Sequence, residues 1–548
     1  MKSRTSLFNA AVFRKDVTRF FPVWMIYSVI LFIGFFESTS FMESAELAES
    51  IAWDISGSVV TSFFYAPLVC LLLFGDLYQN RLCNAIHALP IQRHTLFFSH
   101  TAAALCFYLV PNTLLALVQL LFLWTYWYVA LYWLLGTTLI YLCLLGIALF
   151  CTFCTGKRFA MAAVYCILLF FPLFGYGLYT TLYQPLLPGI RVDLDAFTRF
   201  SPVFNLSSHD YVEVAIQRSN VTQRVVSAQV ETADWGYLWL WAGVGVAFGA
   251  AALLLYRRRH LESAGDFMAA NALRPVFLVL YTLFMAMIFQ LFGGMGTMFI
   301  GLILGFFTGL MLLNRTRNVF IPKAWKGLAL LVGAIVITLI LTAVDILGVT
   351  RWVPEAKDVK QVRLSSSTLV TTEDPFNMND ELLTLHDDQG ISDAITLHKA
   401  GKDAHISYEE RYVSLNIEYA LKDGTVRRRY YEIEADSPEG QLFEQYMSRP
   451  ETLFGEDPEA FLAGALIPEL NGYSLSLEEQ ETVKELLLAD CRAGYMAQDY
   501  SFHETYSQFN IVLKQNNGNF YINIYEMQSA LYRWAAEQGY LEDTEIYK

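Results

Sequence analysis

Two groups of side chains in this sequence could support metal or redox chemistry. Cys151 and Cys154 have the two-residue spacing of a zinc or redox pair, but no second pair or histidine accompanies them. Four histidines of the C-terminal region could meet in space beside Asp387 and Asp388, yet none is in an HExxH pattern: His386, His398, His405 and His503. We therefore interpret the histidines as solvated surface residues and expect neither a metal site nor a cofactor.

The sequence also lacks the phosphate-binding pattern GxxxxGK[ST]. Gly156-Lys157 continues with Arg158 and has no glycine at the required upstream position, and Gly401-Lys402 continues with Asp403. No nucleophile and base occur in a recognisable catalytic pattern. We expect a protein that is not an enzyme and does not hydrolyse nucleotides by itself.

Long apolar runs dominate the first 350 residues. The 548-residue chain is 55% hydrophobic and 16% charged, with a mean hydropathy of +0.37. A helix needs about 20 apolar residues to cross a bilayer core. Nine runs reach or approach this length: Phe20–Phe36, Gly57–Phe74, Thr101–Trp124, Val129–Phe150, Phe159–Tyr179, Gly236–Tyr256, Val276–Phe292, Met298–Leu313 and Gly327–Leu347. They predict a polytopic α-helical membrane protein with about nine transmembrane helices, eight or ten being the alternatives.

The positive charges lie in alternate gaps between these runs. Residues 1–350 contain 21 Lys and Arg, of which 17 lie in gaps that would face the same side of the membrane. Short loops rich in Lys and Arg stay in the cytoplasm. With nine spans, this pattern predicts a multi-pass protein of the cell membrane with a cytoplasmic N-terminus and an extracytoplasmic C-terminal region.

The residues before the first run have two interpretations. Phe13, Val17, Phe20 and Phe21 follow helical spacing, with basic residues between them. Such a segment can form a short entry helix in the membrane interface. The alternative is an ordinary basic flank.

The charge changes sign near Gly348. Residues 1–350 carry a net charge of +5 and residues 351–548 a net charge of −19. The acidic part would repel nucleic acid. Its alternating apolar and polar residues predict a folded α+β domain over residues 349–548, which Cys491 alone cannot staple with an intramolecular disulfide.

Local signals place several elements in this acidic domain. One hairpin is predicted with strands at 412–420 and 425–433, and a second with strands at 509–514 and 519–525 around Asn517-Gly518. Ser476 and Glu479 form a capping box that opens a helix through about Ala493. A last helix is predicted over 526–538, ended by Gly539.

The pattern divides the chain into three regions. Residues 1–256 form a six-span core with an outer segment at 184–235, residues 257–348 add three helices, and residues 349–548 form the acidic domain. Small residues at helical spacing predict close helix packing. They are Gly245, Gly249, Gly301, Gly305 and Gly309.

The most distinctive loop, Gly75 to Leu96, joins the second and third runs. It predicts a short helix with Leu77, Arg81, Ala85 and Ala88 on one side, stopped by Pro90 and restarted towards the third run. Its element Leu89-Pro90-Ile91-x-Arg93-x-Thr95-Leu96 resembles the first cytoplasmic loop of the permease subunits of ABC type-2 transporters, where the membrane subunit meets its ATPase.

A second stretch strengthens this resemblance. Glu262-Ser263-Ala264-Gly265-Asp266, leading into Leu273-Arg274-Pro275-Val276, is similar to the loop after span six in a bacterial subgroup of those permeases, which has extra spans and an outward C-terminal domain. The layout of most of residues 5–350 also fits. The resemblance implies an ATPase-coupling loop containing Asp76, Asn80, Arg81, His87, Leu89, Pro90 and Arg93.

The resemblance further implies a function and partners. The chain would be the permease subunit of an ABC exporter, coupled to a separate cytoplasmic ATPase and assembled with a second permease as a homodimer or heterodimer in the lipid bilayer. Apolar spans suit an amphipathic or lipid-like cargo or a peptide. The alternative is a membrane-anchored sensor or binding protein whose acidic domain recognises a ligand.

Overall fold

The chain divides into two compact units, each with its own core. The computed structural model describes residues 7–39, 43–192, 194–218, 225–346, 348–365, 384–404, 412–434, 436–447, 449, 458–464, 466–470, 473–493, 509–515, 518–524 and 529–540. The first unit comprises Met1–Thr181 and Asp193–Ile337, and the second Leu182–Val192 and Thr338–Lys548. The division lies earlier in the chain than the change of charge near Gly348, and residues 257–337 share a unit with residues 1–181 and 193–256.

The first unit is helical. Its helices are α1 Ala10–Arg19, α2 Phe21–Thr39, α3 Ser44–Leu73, α4 Asn80–His87, α5 Arg93–Phe122, α6 Trp127–Cys154, α7 Arg158–Leu178, α8 Leu194–Thr198, α9 Pro202–Ser207, α10 Trp235–Arg258, α11 Arg274–Asn314 and α12 Pro322–Ala343, the last of which extends into the second unit. Among the described residues, seven helices are long and apolar enough to cross a membrane, or eight if α1 and α2, bent by 59°, form one span.

The long helix α11 is broken into two halves at Gly293 and Gly294. Gly294 has φ +73°, in the left-handed region that favours glycine. A Cβ on Gly301 would lie 2.6 Å from Phe289 Cβ, and one on Gly305 would lie 2.7 Å from Met285 Cβ. Gly309 faces Leu278 in the same way. The halves therefore pack antiparallel, and three glycines set their close approach.

Helices α6 and α10 make the tightest contact in this unit. A Cβ on Gly245 would lie 2.4 Å from Cys143 Cα, so the two backbones touch. One turn further on, a Cβ on Gly249 would meet no described atom within 4 Å. At that level Phe150 and Phe248 occupy the space between the helices, with ring centroids 5.1 Å apart. Of the two glycines predicted to pack on α10, Gly245 therefore does so and Gly249 does not.

The segment before the first long helix is helical and attached to α5. Asp16 of α1 is buried and its Oδ2 lies 2.6 Å from His100 Nδ1. The backbone N–H of Asn9 donates to the Ser99 hydroxyl at 2.9 Å. These contacts fix α1 against the end of α5 at which α5 begins. Its position in a membrane interface stays a prediction.

Among its described residues, the predicted outer segment contains the two short helices α8 and α9 and a hairpin. Strands β1 Val212–Arg218 and β2 Val225–Thr232 pair antiparallel, with Val212 opposite Thr232. Tyr211, next to β1, is buried and donates its hydroxyl proton to the Leu206 carbonyl at 3.0 Å. The hairpin is thereby attached to the end of α9.

The described residues of the second unit form two four-stranded sheets. The first has the order β4-β3-β5-β6, from β3 Val359–Ser365, β4 Thr384–Leu385, β5 Tyr412–Leu421 and β6 Val426–Glu434. Its apolar face is covered by α13 Asp388–Asp403 and α14 Pro438–Met447. The predicted β5–β6 hairpin is confirmed, with Ala420 opposite Val426 and Gly424 at φ +85° in the turn.

The second sheet has the order β10-β9-β7-β8, from β7 Leu466–Leu470, β8 Tyr473–Ser474, β9 Phe509–Gln515 and β10 Gly518–Ile524. Helices α15 Pro458–Gly464, α16 Leu477–Ala493 and α17 Ala530–Glu537 belong to the same part. The hairpin and the capping box are confirmed, with the Ser476 N–H donating to Glu479 Oε2 at 2.8 Å. Asn517 and residues 525–528 lie outside the described residues, and α17 begins at Ala530 after its Ser529 cap, later than predicted.

The interpretation of His398 as a surface residue is wrong. His398 is fully buried, and its Nδ1 lies 3.2 Å from the Tyr419 hydroxyl, which itself donates to the Ala394 carbonyl. Its Nε2 has no hydrogen-bond partner among the described residues. Burial, together with the charges of Arg429 and Lys402, lowers the pKa of His398 to about 4. His386 is exposed as expected, and His405 and His503 lie outside the described residues.

The glycine contact predicts opposite effects of one substitution at neighbouring positions. Gly245→Ala should destabilise the protein by about 1–3 kcal/mol, because the new methyl group overlaps the α6 backbone. Gly249→Ala should be neutral or stabilise by about 0.5–1 kcal/mol, because it adds helix propensity in open space. Thermal unfolding of both variants in detergent measures the two changes in stability. Equal effects would contradict the contact between Gly245 and the α6 backbone.

Burial of His398 predicts a pH-dependent stability of the second unit. A lowered pKa in the folded state means that the unfolded state binds the proton first, so stability is present above the usual histidine pKa and falls as pH drops towards 4. Between pH 7.5 and 5 we expect a loss of about 1–2 kcal/mol after allowance for solvent screening. Limited proteolysis of the protein at increasing urea, followed through peptides released from the second unit, measures this loss of stability. His398→Gln should remove it, whereas His386→Gln should not.

Candidate functional site

The predicted coupling loop has the expected helical form. After α3 the chain makes a 3-10 turn, Gly75–Tyr78, then forms α4 Asn80–His87, and α5 starts beyond Pro90 at Arg93. Arg81, Ala85 and Ala88 are exposed, as predicted for one side of a helix. Leu77 is not on that side, because it lies in the preceding 3-10 turn, where it is buried.

The seven predicted coupling residues separate into two groups. Asn80, Arg81, Leu89 and Pro90 are exposed and form, with Leu82, a surface that we call the α4 face. Leu82 and Leu89 are 43% and 50% exposed. The other three predicted residues are partly buried and do not belong to the α4 face. They are Asp76, His87 and Arg93. The α4 face is thus an exposed surface that combines polar and apolar side chains.

His87 attaches α4 to α10. Its Nδ1–H donates to the Cys83 carbonyl at 2.8 Å, and its Nε2 then accepts from the Tyr256 hydroxyl at 3.1 Å. Burial and the charges of Arg93 and Arg259 lower the pKa of His87, against the opposing effect of the Cys83 carbonyl. A neutral ring provides the donor and the acceptor that this arrangement needs.

Arg93 caps the end of α10. Its guanidinium donates to the carbonyl oxygens of Tyr256 at 3.0 Å, Arg257 at 3.3 Å and Arg259 at 2.7 Å. The last carbonyls of a helix lack intrahelical partners and carry partial negative charge. A cation at this position satisfies both requirements, so the first turn of α5 holds the last turn of α10.

Arg259 lies at the centre of the same cluster, although in the sequence it is only one of several basic loop residues. It is 9% exposed and donates to the carbonyls of Thr152 at 3.2 Å and Phe153 at 3.4 Å in the last turn of α6. A further bond reaches the Leu77 carbonyl at 3.2 Å. Burial lowers the pKa of Arg259. Nothing in the run Arg257-Arg258-Arg259 distinguishes the buried member from the exposed ones.

The second resemblance stretch packs against the turn between α6 and α7. The Gly265 N–H donates to the Gly156 carbonyl at 2.7 Å, and the Gly156 N–H donates to the Asp266 carbonyl at 3.0 Å. A Cβ on Gly156 would lie 2.2 Å from the Ser263 carbonyl oxygen. The Asp266 carboxylate pairs with Arg274 at 3.5 Å and with Arg315. This stretch is therefore ordered by backbone pairing and by an ion-pair cluster.

The described residues offer no alternative site for metal chemistry. None of their His, Cys, Asp and Glu side chains form a group of three that could hold a metal ion. Cys151 and Cys154 are both buried between helices. Comparison with known proteins adds no assignment, because no family profile, curated protein or solved structure matches the chain.

The Arg259 cluster predicts unequal effects of neighbouring arginines. Arg259→Gln should destabilise the protein by about 1–3 kcal/mol, because buried carbonyls lose their donors. Arg258→Gln, at an exposed position in the same run, should change stability by less than about 0.5 kcal/mol. Thermal unfolding of the purified variants checks this. Indistinguishable midpoints would contradict the role of Arg259.

Proposed function

We propose that the chain is the membrane-spanning permease subunit of an ATP-driven ABC exporter. In this proposal it lies in the cell membrane with its N-terminus in the cytoplasm and the acidic domain, residues 349–548, outside. The alternating loop charges support this orientation. A separately encoded cytoplasmic ATPase hydrolyses ATP, and this chain performs no chemistry of its own.

The observation that carries the proposal is an exposed short helix, α4, whose loop is hydrogen-bonded to the ends of α6 and α10. The α4 face presents Arg81, Leu82 and Leu89 to solvent between two long apolar helices, α3 and α5. His87 and Arg93 join this loop to α10, and Arg259 joins it to α6. A flexible linker would not transmit a displacement of α4. The hydrogen-bonded loop transmits it to the four long helices α3, α5, α6 and α10.

The mechanism follows from these contacts. Closure of the partner ATPase around ATP displaces α4, and the displacement reaches α10 through the Tyr256 hydroxyl and the carbonyls that Arg93 binds. It reaches α6 through the Leu77 carbonyl, since Arg259 binds this oxygen and the end of α6 together. The result is a concerted movement of α3, α5, α6 and α10.

The proposed transport path requires a second permease, either a copy of this chain or a sister subunit. An amphipathic or lipid-like compound or a peptide is the proposed cargo, because the long helices carry few charged side chains. Polar surfaces in membranes are costly, so such spans suit a cargo that is itself partly apolar.

A second candidate function is a membrane-anchored sensor or ligand-binding protein. The second unit favours it, because this unit has cores of its own and a cavity of about 360 Å³. Co-purification discriminates between the two candidates. An exporter subunit should bring down a nucleotide-binding protein in stoichiometric amount, and a simple receptor should not.

The α4 face gives the direct test of coupling. The double variant Arg81→Glu, Leu89→Glu should lower cargo-stimulated ATP hydrolysis of the assembled transporter by about tenfold or more, because it reverses a charge and removes an apolar contact. Arg317→Glu, the same charge reversal in an exposed position of another loop, serves as the control. Wild-type hydrolysis and assembly in the double variant would contradict coupling through α4.

A further inference from the structure

Helix α12 begins with two lysines and continues as an apolar helix. Lys323 and Lys326 are both exposed. Residues 267–344 contain no Asp or Glu. The carboxylates that flank this stretch have partners of their own, because Asp266 is paired with two arginines and Asp345 accepts from three backbone N–H groups that follow it. Among the described residues, no carboxylate forms an ion pair with either lysine.

Helical spacing places both lysines on the same face of α12 as two exposed apolar residues. Positions three, four and seven apart in a helix share a face. The residues of this face, which we call the lysine face, are Lys323, Lys326, Leu330 and Ile337. Leu330 is 78% exposed and Ile337 is 58% exposed. The buried residues of α12, Ala324 and Leu328, lie on the opposite side of the helix.

Aromatic side chains indicate the depth of the two lysines in a bilayer. Trp325 is 50% exposed, and its ring centroid lies 4.8 Å from that of Phe307. Phe320, which is 59% exposed, packs on the same ring at 4.7 Å. Amphipathic rings such as that of Trp favour the headgroup layer of a membrane. Because Trp325 lies between Lys323 and Lys326 in the chain, both lysines lie at the depth of the lipid phosphates.

The apolar part of the lysine face has the length of one leaflet. Ile337 follows Lys326 by eleven residues, which is about 16 Å along a helix. Half of a hydrocarbon core of about 30 Å has almost the same length. Lys323 and Lys326 are three residues apart, so their Cβ atoms are about 5–6 Å apart and both ammonium groups can reach one phosphate. The lysine face therefore matches a phospholipid both in its charge and in its apolar length.

We propose that the lysine face binds one anionic phospholipid. The lipid phosphate accepts hydrogen bonds from the ammonium groups of Lys323 and Lys326, and an acyl chain lies along Leu330 and Ile337. A zwitterionic lipid brings its own cation, whereas two lysines without a carboxylate partner favour a lipid with a net negative charge. The proposal requires only that α12 crosses the bilayer, so it is independent of export.

The test measures lipid binding by the full chain in the absence of a partner ATPase. In native mass spectrometry from detergent, the first phosphatidylglycerol should bind about tenfold more tightly than phosphatidylcholine with the same acyl chains. The double variant Lys323→Gln, Lys326→Gln should lose this preference. The double variant Lys323→Arg, Lys326→Arg keeps both charges and should retain it. Equal binding of the two lipids to the wild type, or an unchanged preference in the glutamine variant, would overturn the proposal.

A matched control separates the lysine face from a general effect of net charge. The double variant Arg257→Gln, Arg258→Gln removes the same charge from exposed residues in the last turn of α10. It should change the lipid preference by less than about twofold. All these variants should keep the thermal midpoint of the wild type, because the replaced side chains are exposed. Equal losses of preference in the two glutamine variants would overturn the placement.

A protein partner is the competing occupant of the lysine face. If Lys323→Gln, Lys326→Gln kept the preference for phosphatidylglycerol but lost co-purification with a nucleotide-binding protein, the lysine face would bind protein and the proposal would be wrong. Because lipid binding is measured on the isolated chain, either result leaves the coupling of α4 to an ATPase as a separate question.

Discussion

A buried guanidinium group fixes the arrangement of one end of the first unit. Arg259 is held by carbonyl oxygens from the last turn of α6 and from the turn that precedes α4. A cation removed from water costs several kcal/mol unless it is hydrogen-bonded, so these elements must meet where Arg259 lies. Arg93 donates hydrogen bonds to carbonyl oxygens at the end of α10 in the same way. The carbonyl oxygens at the helix ends accept hydrogen bonds from the two guanidinium groups. Both the buried cations and the unpaired carbonyls thereby gain partners.

The position of Arg259 in turn depends on the contact between α6 and α10. Arg259 directly follows α10, so the depth and rotation of that helix decide where the guanidinium lies. Gly245 lets the two backbones touch, and its Cβ position would be only 2.4 Å from Cys143 Cα. Van der Waals packing at small residues is one of the interactions that drive the association of apolar helices. The glycine contact and the arginine cluster therefore fix the same helix pair at two levels.

The second unit obeys a different constraint, the alternation of side chains along a strand. Val413, Leu415 and Ile417 fill the core, and the residues between them are necessarily on the other face. That face is polar, and at its edge the backbone of Gly189 pairs with Tyr430 of β6. Gly189 comes from a part of the chain far from β6, and its backbone conformation is available to glycine at little cost.

The sequence by itself determined the features that depend on near neighbours along the chain. Apolar runs located the long helices, the Ser476 and Glu479 cap located α16, and the turn at Gly424 located the β5–β6 hairpin. Helix periodicity and Pro90 likewise located α4. These signals are local, because a cap or a turn is made by residues only a few positions apart.

The tertiary structure alone decided which of several equivalent residues performs a role. Arg259 is buried and Arg258 is exposed, Gly245 touches a backbone and Gly249 does not, and His398 lies in a core while His386 faces solvent. In each pair the residue types are identical. The difference arises from partners distant in the sequence, such as Leu77 for Arg259 and Tyr419 for His398. Burial and charge are properties of the packed environment, and packing brings together segments whose proximity no local pattern encodes.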